Sequence, residues 1–367
     1  MASTSSSTSN EEKDTLIFAH VLFRHGARNI VAPYPTDPFK DESHWPEGFG
    51  QLTNVGKRQL YRLGLYLRRR YDNLIDEKYS YKDIHVQSTD FCRTIMSAQA
   101  CLAGLYRPSE EDKLDEDINW QPIPVHTIPT HLDHVLVTGK KCPRFQRAHV
   151  NYLQNTSMMK DVLSEYKPLF AHWSQHSGMN IQSIDSVNLL YNTLSIEQEQ
   201  NKPLPTWAER ALRPDSPMNY IANLYFQSYA ATPELARLKQ GFLIKEIMER
   251  FSKKIHSTLK PDRKLWLYSA HDLTIINVLN SLGLFEVFKF AFDQPHFPPY
   301  GASLHFELFR TSKGEHYFKI FYRKAEEEYP DPISIPGCGE SCTLKQFYDL
   351  YSQIIPGDFE RECWLPA

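Results

Sequence analysis

The alternation of apolar and polar positions divides the chain into recognisable elements. Thr15 to Phe23 (TLIFAHVLF) is almost continuously apolar, as expected of a strand buried on both faces. Ile84 to Ser88 and Lys264 to Ala270 (KLWLYSA) read as two further buried strands. From Thr53, Leu60, Leu63, Leu67, Tyr71 and Leu74 follow a three-to-four-residue rhythm, which predicts an amphipathic helix. Arg68-Arg69-Arg70 falls at its end, where cations complement the dipole, and reads as a solvated terminus. Helices are expected over 90–105, with Ser88 or Thr89 as cap, over 235–259, over 273–282 and over 343–354. Residues 303–310 and 316–324 alternate around Ser312-Lys313-Gly314, which predicts an antiparallel hairpin.

Between these blocks the pattern changes. Trp120 to His126 is held extended by prolines. Residues 145–235 read as short helices broken by Pro203, Pro205, Pro214 and Pro217. Strand–helix alternation at both ends with a helical middle predicts an α/β core, 14–120 and 236–367, interrupted by a mainly helical insert at 121–235. Residues 1–13 are polar and low in complexity and read as a disordered tail. Glu326-Glu327-Glu328 reads as a solvated loop.

Composition narrows the class. Apolar residues at 41% and charged residues at 23% are ordinary for a globular chain of this size. A net charge of −3 gives no reason to expect a nucleic-acid partner, so any affinity for anions must come from a local cluster. No run of about 18 apolar residues occurs, so no membrane span is expected. The first residues lack the apolar centre of a signal peptide; the expectation is an intracellular chain, or one whose signal has been removed.

Six cysteines do not make a scaffold in a chain this long. Cys338 and Cys342, in a turn-rich segment, fit a small disulfide loop or half of a zinc site. Cys92 and Cys101 fall on opposite faces of the expected helix and read as buried free thiols. Asn155-Thr156-Ser157 is a glycosylation sequon, which makes Asn155 a candidate site. His131 and His134 have metal-like spacing but lie in an expected loop, so no metal is assigned to them.

In open α/β sheets ligands collect beyond the carboxyl ends of the strands. Three segments put polar groups there: Arg24-His25-Gly26-Ala27-Arg28, Arg93 at the start of the next helix, and His271-Asp272. The set suits phosphoryl transfer without a metal or cofactor. Arginine forks match phosphate oxygens, a neutral imidazole is a competent nucleophile, and Gly26 lets backbone approach the ligand. A protonated Asp272 would supply the leaving oxygen's proton, weighting activity to acidic pH.

With Ser-Thr-Asp-x-x-Arg at 88–93, Trp-Gln-Pro-Ile-Pro-Val-His-Thr at 120–127 and Tyr-Ser-Ala-His-Asp at 268–272, the Arg-His-Gly-x-Arg run resembles the histidine acid phosphatases, the family of the animal lysosomal and prostatic enzymes. The resemblance covers about residues 15–367. It implies a phosphoglycerate mutase-like mixed sheet flanked by helices, with a smaller helical cap. It implies phosphohistidine formation on His25, phosphate binding by Arg24, Arg28, Arg93 and His271, and proton donation by Asp272. It implies disulfides Cys142–Cys363 and Cys338–Cys342, hence secretion or the lysosomal lumen. Small phosphomonoesters and phosphopeptides are the implied substrates, and a homodimer the implied assembly.

The sequence departs from the family where Asn29-Ile30 replaces the usual motif proline, which predicts a looser loop. It also lacks a third disulfide, whose positions fall near Asn192 and Ser303. Competing readings are an inositol polyphosphate phosphatase, which would need more lysine and arginine around the site, a mutase, and a secreted binding protein on a retired phosphatase scaffold.

Overall fold

The computed structural model describes residues 14–284, 298–324 and 329–364. The expected tail at 1–13 and the glutamate run at 326–328 lie outside them. Six strands form one mixed sheet in the order β3-β2-β4-β1-β5-β6. They are β1 (Thr15–Arg24), β2 (Ile84–Thr89), β3 (His126–Ile128), β4 (Leu265–Ala270), β5 (Ser303–Arg310) and β6 (His316–Arg323). β1 to β4 are parallel, and the β5–β6 hairpin closes one side antiparallel.

Two-residue periodicity in β1 and β4 loads both faces of the sheet. Ala19, Val21, Phe23, Leu265 and Leu267 point to one face, against α1 (Asn54–Arg70) and α2 (Cys92–Leu105). Phe18, Leu22, Trp266, Tyr268 and Ala270 point to the other, a core shared with the helices that follow the insert. Thr53 caps α1 by accepting from the Gly56 amide. Gly64 and Gly104 let α1 and α2 touch backbone to backbone, since a Cβ at either would strike the other helix's main chain.

The helices of the middle region are α3 (Pro143–Asn155), α4 (Ser157–Glu165), α5 (Lys167–Ser177), α6 (Ile184–Glu199), α7 (Thr206–Ala211) and α8 (Pro217–Ser228). Residues of α4 to α8 gather around a cluster of their own that includes Trp173, Leu190, Leu194, Met218 and Ile221 and reaches Tyr34. α9 (Pro233–Lys239), α10 (Gly241–Ile255), α11 (Asp272–Ser281), α12 (Leu344–Tyr351) and α13 (Phe359–Trp364) are the remaining α-helices among the described residues. Among the described residues no helix is long and apolar enough to cross a membrane.

Several expectations are corrected. The single helix expected over 235–259 is two, broken at Gln240. A Cβ at Gly241 would meet the Ile354 carbonyl, so the break is where the chain passes close to residues 352–354. The stretch read as the helical insert opens with β3, a three-residue edge strand that the proline pattern concealed. Neither Ser88 nor Thr89 caps α2; its N-cap is Phe91, without a side-chain bond. Arg68 and Arg70 are not simply solvated. Arg68 donates to the carbonyls of Ile75 and Asp76, and Arg70 pairs with buried Glu307 on β5 at 2.7 Å. Cys101 is buried as expected, but Cys92, on the opposite face of α2, is exposed. Cys142 is bonded to Cys363, and Cys338 to Cys342.

Candidate active site

The register brings the chemistry to one edge. Arg24 lies opposite Ala270, and Ser88 opposite Ser269, so His25, His271 and the end of β2 follow neighbouring parallel strands. The antiparallel β5 begins at the same edge, which brings in Tyr300 and Pro298. Every residue expected in the site converges here. His25 and His271 stand with ring centroids 5.5 Å apart. Arg24 pairs with Asp272 at 2.8 Å and lies 4.0 Å over the Tyr300 ring. Arg93, in the first turn of α2, packs over Phe91.

The motif loop is held rigidly. Gly26 N–H donates to the Ser97 hydroxyl, Ala27 N–H to the Gln59 side chain, and the Ala27 carbonyl accepts from both the amide and the hydroxyl of Thr53. Gly26 faces Gly56: a Cβ on Gly26 would strike the Gly56 backbone in the first turn of α1, and one on Gly56 would strike the Ala27 backbone of the motif loop. The glycine is thus required for the α1 contact, whereas the sequence suggested approach to a ligand. The looser loop expected from Asn29-Ile30 is also not found. Asn29 is buried, donates to Glu47 and the Gly48 carbonyl, and accepts from Gln200 at 3.0 Å. Ile30 is fully buried against Trp45 and Ile196. Side-chain bonds replace the stiffness a proline would give.

The protonation pattern follows from geometry. His25 Nδ1 lies 2.8 Å from the Gly26 carbonyl oxygen, which can only accept. Nδ1 therefore carries the proton and Nε2 holds the free pair. Burial, reinforced by Arg93, Arg24, His271 and Arg28, holds His25 well below the usual histidine range, so the ring is neutral. His271 is held neutral by burial and the same arginines, down to about 3. Its Nε2 meets the Thr89 hydroxyl at 3.0 Å, which leaves Nδ1 as the other ring nitrogen. Burial works to raise Asp272, but Arg24, Arg28, His271 and the Leu273 amide outweigh it and hold the carboxyl below its ordinary value. Burial and the neighbouring Arg28 lower Arg93 to about 10, still fully charged near neutrality.

The Nε atoms of Arg24, Arg28 and Arg93 are buried without hydrogen-bond partners. Three guanidinium groups with donors to spare around His25 give a site whose charge and geometry suit an anion. The cavity beside them has a volume of about 380 Å³. Its outer walls are largely apolar, with Val31, Tyr34, Met179, Leu189, Tyr225 and Phe226 among the lining side chains. Beyond Arg28 and Arg93, the cation among its described lining residues is Lys239, buried over the rings of Phe145 and Tyr229.

Sequence reasoning missed Thr89 as the partner of His271, Tyr300 under Arg24, and the apolar walls. The walls come from segments more than a hundred residues apart, and no local pattern announces them. His131-Leu132-Asp133-His134 has a structural explanation. Asp133 is buried and accepts from the amides of Val135, Leu136 and Val137, and so shapes the loop that carries Leu136 to the cavity. His134 packs against Phe242 and Phe359. Asn155 is exposed at the end of α3.

Comparison with known proteins identifies the family. Residues 15–323 match the model of the histidine phosphatase superfamily (branch 2). Human prostatic acid phosphatase is 35% identical over 352 residues, covering 95% of this chain and 88% of its own. Human lysosomal acid phosphatase is 33% identical, covering 96% of this chain and 81% of its own. Among solved structures, the apo form of Hafnia alvei phytase superposes with a TM-score of 0.69 at 18% identity, over 96% of this chain and 99% of its own. Bifidobacterium longum multiple inositol polyphosphate phosphatase, in complex with inositol hexasulfate, gives 0.55 at 13% identity, over 94% and 93%. At such identities these two show the fold alone.

Proposed function

This chain belongs to the histidine phosphatase superfamily, branch 2, and from that premise we propose that it is an acid phosphatase that hydrolyses phosphate monoesters through a phosphohistidine on His25. The observation that carries the reading is the orientation of His25. Its Nδ1 proton is committed to the Gly26 carbonyl, and its Nε2 is free amid three guanidinium groups with unsatisfied donors.

The substrate's phosphoryl group sits among Arg24, Arg28, Arg93 and His271, whose donors stabilise the equatorial oxygens as the bond to the leaving oxygen loosens. His25 Nε2 attacks phosphorus, the P–O bond breaks, and Asp272 gives its proton to the departing oxygen. Water then attacks the phosphohistidine and returns a proton to Asp272. In the free protein Asp272 is tied to Arg24 and ionised. A phosphate monoanion resolves this. It takes over the Arg24 guanidinium, its own negative charge raises the proton affinity of Asp272, and its proton can pass to that carboxylate. Phosphate monoesters lose the second proton near pH 6, so turnover is weighted to acidic pH.

The lining favours a phosphomonoester with an apolar or aromatic organic part. An inositol polyphosphate would need several cations where this cavity presents Val31, Met179, Leu189, Tyr225 and Phe226. The ratio of kcat/KM for an aryl phosphate to that for phytate tests this. A ratio well above one is expected, and a preference for phytate would overturn it. The two disulfides fit an oxidising compartment, which supports the secreted or lysosomal setting.

A further inference from the structure

Asp37 and Glu197 form an unusual buried pair away from the reacting atoms. Glu197, on α6, is fully buried, and Asp37, in the loop after the catalytic motif, is 2% exposed. Both Glu197 carboxylate oxygens and Asp37 Oδ2 have no hydrogen-bond donor within reach, and neither does the buried Tyr34 hydroxyl find a partner. Asp37 Oδ1 is satisfied by the Phe39 amide. The two carboxyl groups lie within hydrogen-bonding reach of each other, and with no other donor at hand they can both be satisfied only if one carries a proton that the other accepts.

We propose that Asp37 and Glu197 are positioning residues that latch α6 onto the active-site loop by sharing one proton. The latch matters because loop and helix together build one wall of the substrate cavity: Arg28, Val31, Ala32 and Tyr34 from the loop, Asn188 and Leu189 from the helix. Around it the same two elements are joined by Thr193 Oγ1 to the Ala32 carbonyl, Gln200 to Asn29, and Ile196 packed on Ile30 and Trp45. Tyr34 and His44 act on the pair from the loop, and Lys202 from beyond α6. Lys202 is itself held by the His44 carbonyl and the faces of Phe39 and Trp45. Burial and Asp37 push Glu197 far above the carboxylate range, in keeping with a retained proton. The folded form therefore binds a proton that the unfolded chain releases at the ordinary carboxylate pKa. The contribution of the pair to stability is full below that pKa and falls as pH rises toward the folded value, about tenfold in the folding equilibrium per pH unit.

Glu197→Gln supplies a permanent donor in place of the shared proton, and Asp37→Asn does so from the other side. The test follows thermal unfolding midpoint and inorganic phosphate affinity from pH 5 to pH 9 in the wild type and both variants. Phosphate affinity does not depend on the phosphohistidine chemistry, so failure of the latch and failure of the catalytic reading are distinguishable. The expected result is a decline in midpoint and phosphate affinity above about pH 6.5, where the buried histidines no longer titrate, in the wild type that is reduced in the variants. Parallel declines in all three proteins overturn the proposal. So does failure of both amide variants to fold, since either amide provides the bond the latch requires. If Glu197→Gln alone misfolds, Asp37→Asn decides.

Discussion

At the scale of single residues, identity was legible and environment was not. The motifs named His25, His271, Asp272 and the three arginines, the residue types expected for phosphoryl transfer at strand ends, and the fold brings them together. They could not show that Arg24 neutralises Asp272 at 2.8 Å, or that His25 is held neutral by its surroundings. Two outcomes follow. Asp272→Asn removes the leaving-group proton, so kcat should fall by about 10²–10⁴ for alkyl phosphates and much less for nitrophenyl phosphate. Equal losses across leaving groups contradict the donor role. Asn29→Ala removes its bonds to Gln200 and the Gly48 carbonyl, and because both partners can reach solvent the cost is about 0.5–1.5 kcal/mol, read from denaturant unfolding. KM should rise as well, because Arg28 precedes Asn29 and donates to its carbonyl. Unchanged stability and KM would mean that the loop does not depend on this residue.

At the scale of elements, strands and long amphipathic helices were read correctly where one period persisted. β1, β4, α1 and the β5–β6 hairpin are in this class. Elements governed by distant backbone were not. The break between α9 and α10 answers to residues 352–354, and β3 exists because β2 offers it an open edge. The same kind of contact joins the motif loop to α1 through Gly26 and Gly56. Gly56→Ala would drive a methyl group into the Ala27 backbone, which has no flexible end to yield. We expect destabilisation of about 2 kcal/mol or more together with loss of turnover. A folded, active Gly56→Ala enzyme would show that the contact can relax.

At the scale of the whole molecule, covalent and protonic terms set the working range. Cys142 and Cys363 are 221 residues apart, whereas Cys338 and Cys342 are 4 apart, so the first bond restricts the unfolded chain far more. Cys363→Ser should therefore lower the unfolding free energy by about 2–5 kcal/mol, and Cys342→Ser by less. The reverse order would contradict it. His20, His25 and His305 are buried and held well below 6.5, and His271 at about 3. Unfolded, each takes a proton near pH 6.5; folded, they do not. Stability is thus complete above that pH and declines as pH falls below it. The apo protein should lose thermal stability between pH 6.5 and pH 5, in the very range where turnover is favoured. Bound phosphate should restore part of it by mass action. A midpoint that climbs on acidification of the apo protein would contradict this.

The central claim is that phosphorus is bonded to His25 during turnover. Rapid-quench mass spectrometry under non-acidic denaturing conditions, during steady-state hydrolysis of an aryl phosphate, tests it most directly. The account requires a phosphoryl adduct on the peptide containing Arg24-His25-Gly26, absent in a folded and inactive His25→Ala variant. An adduct on another residue, or undiminished turnover by His25→Ala, would contradict it.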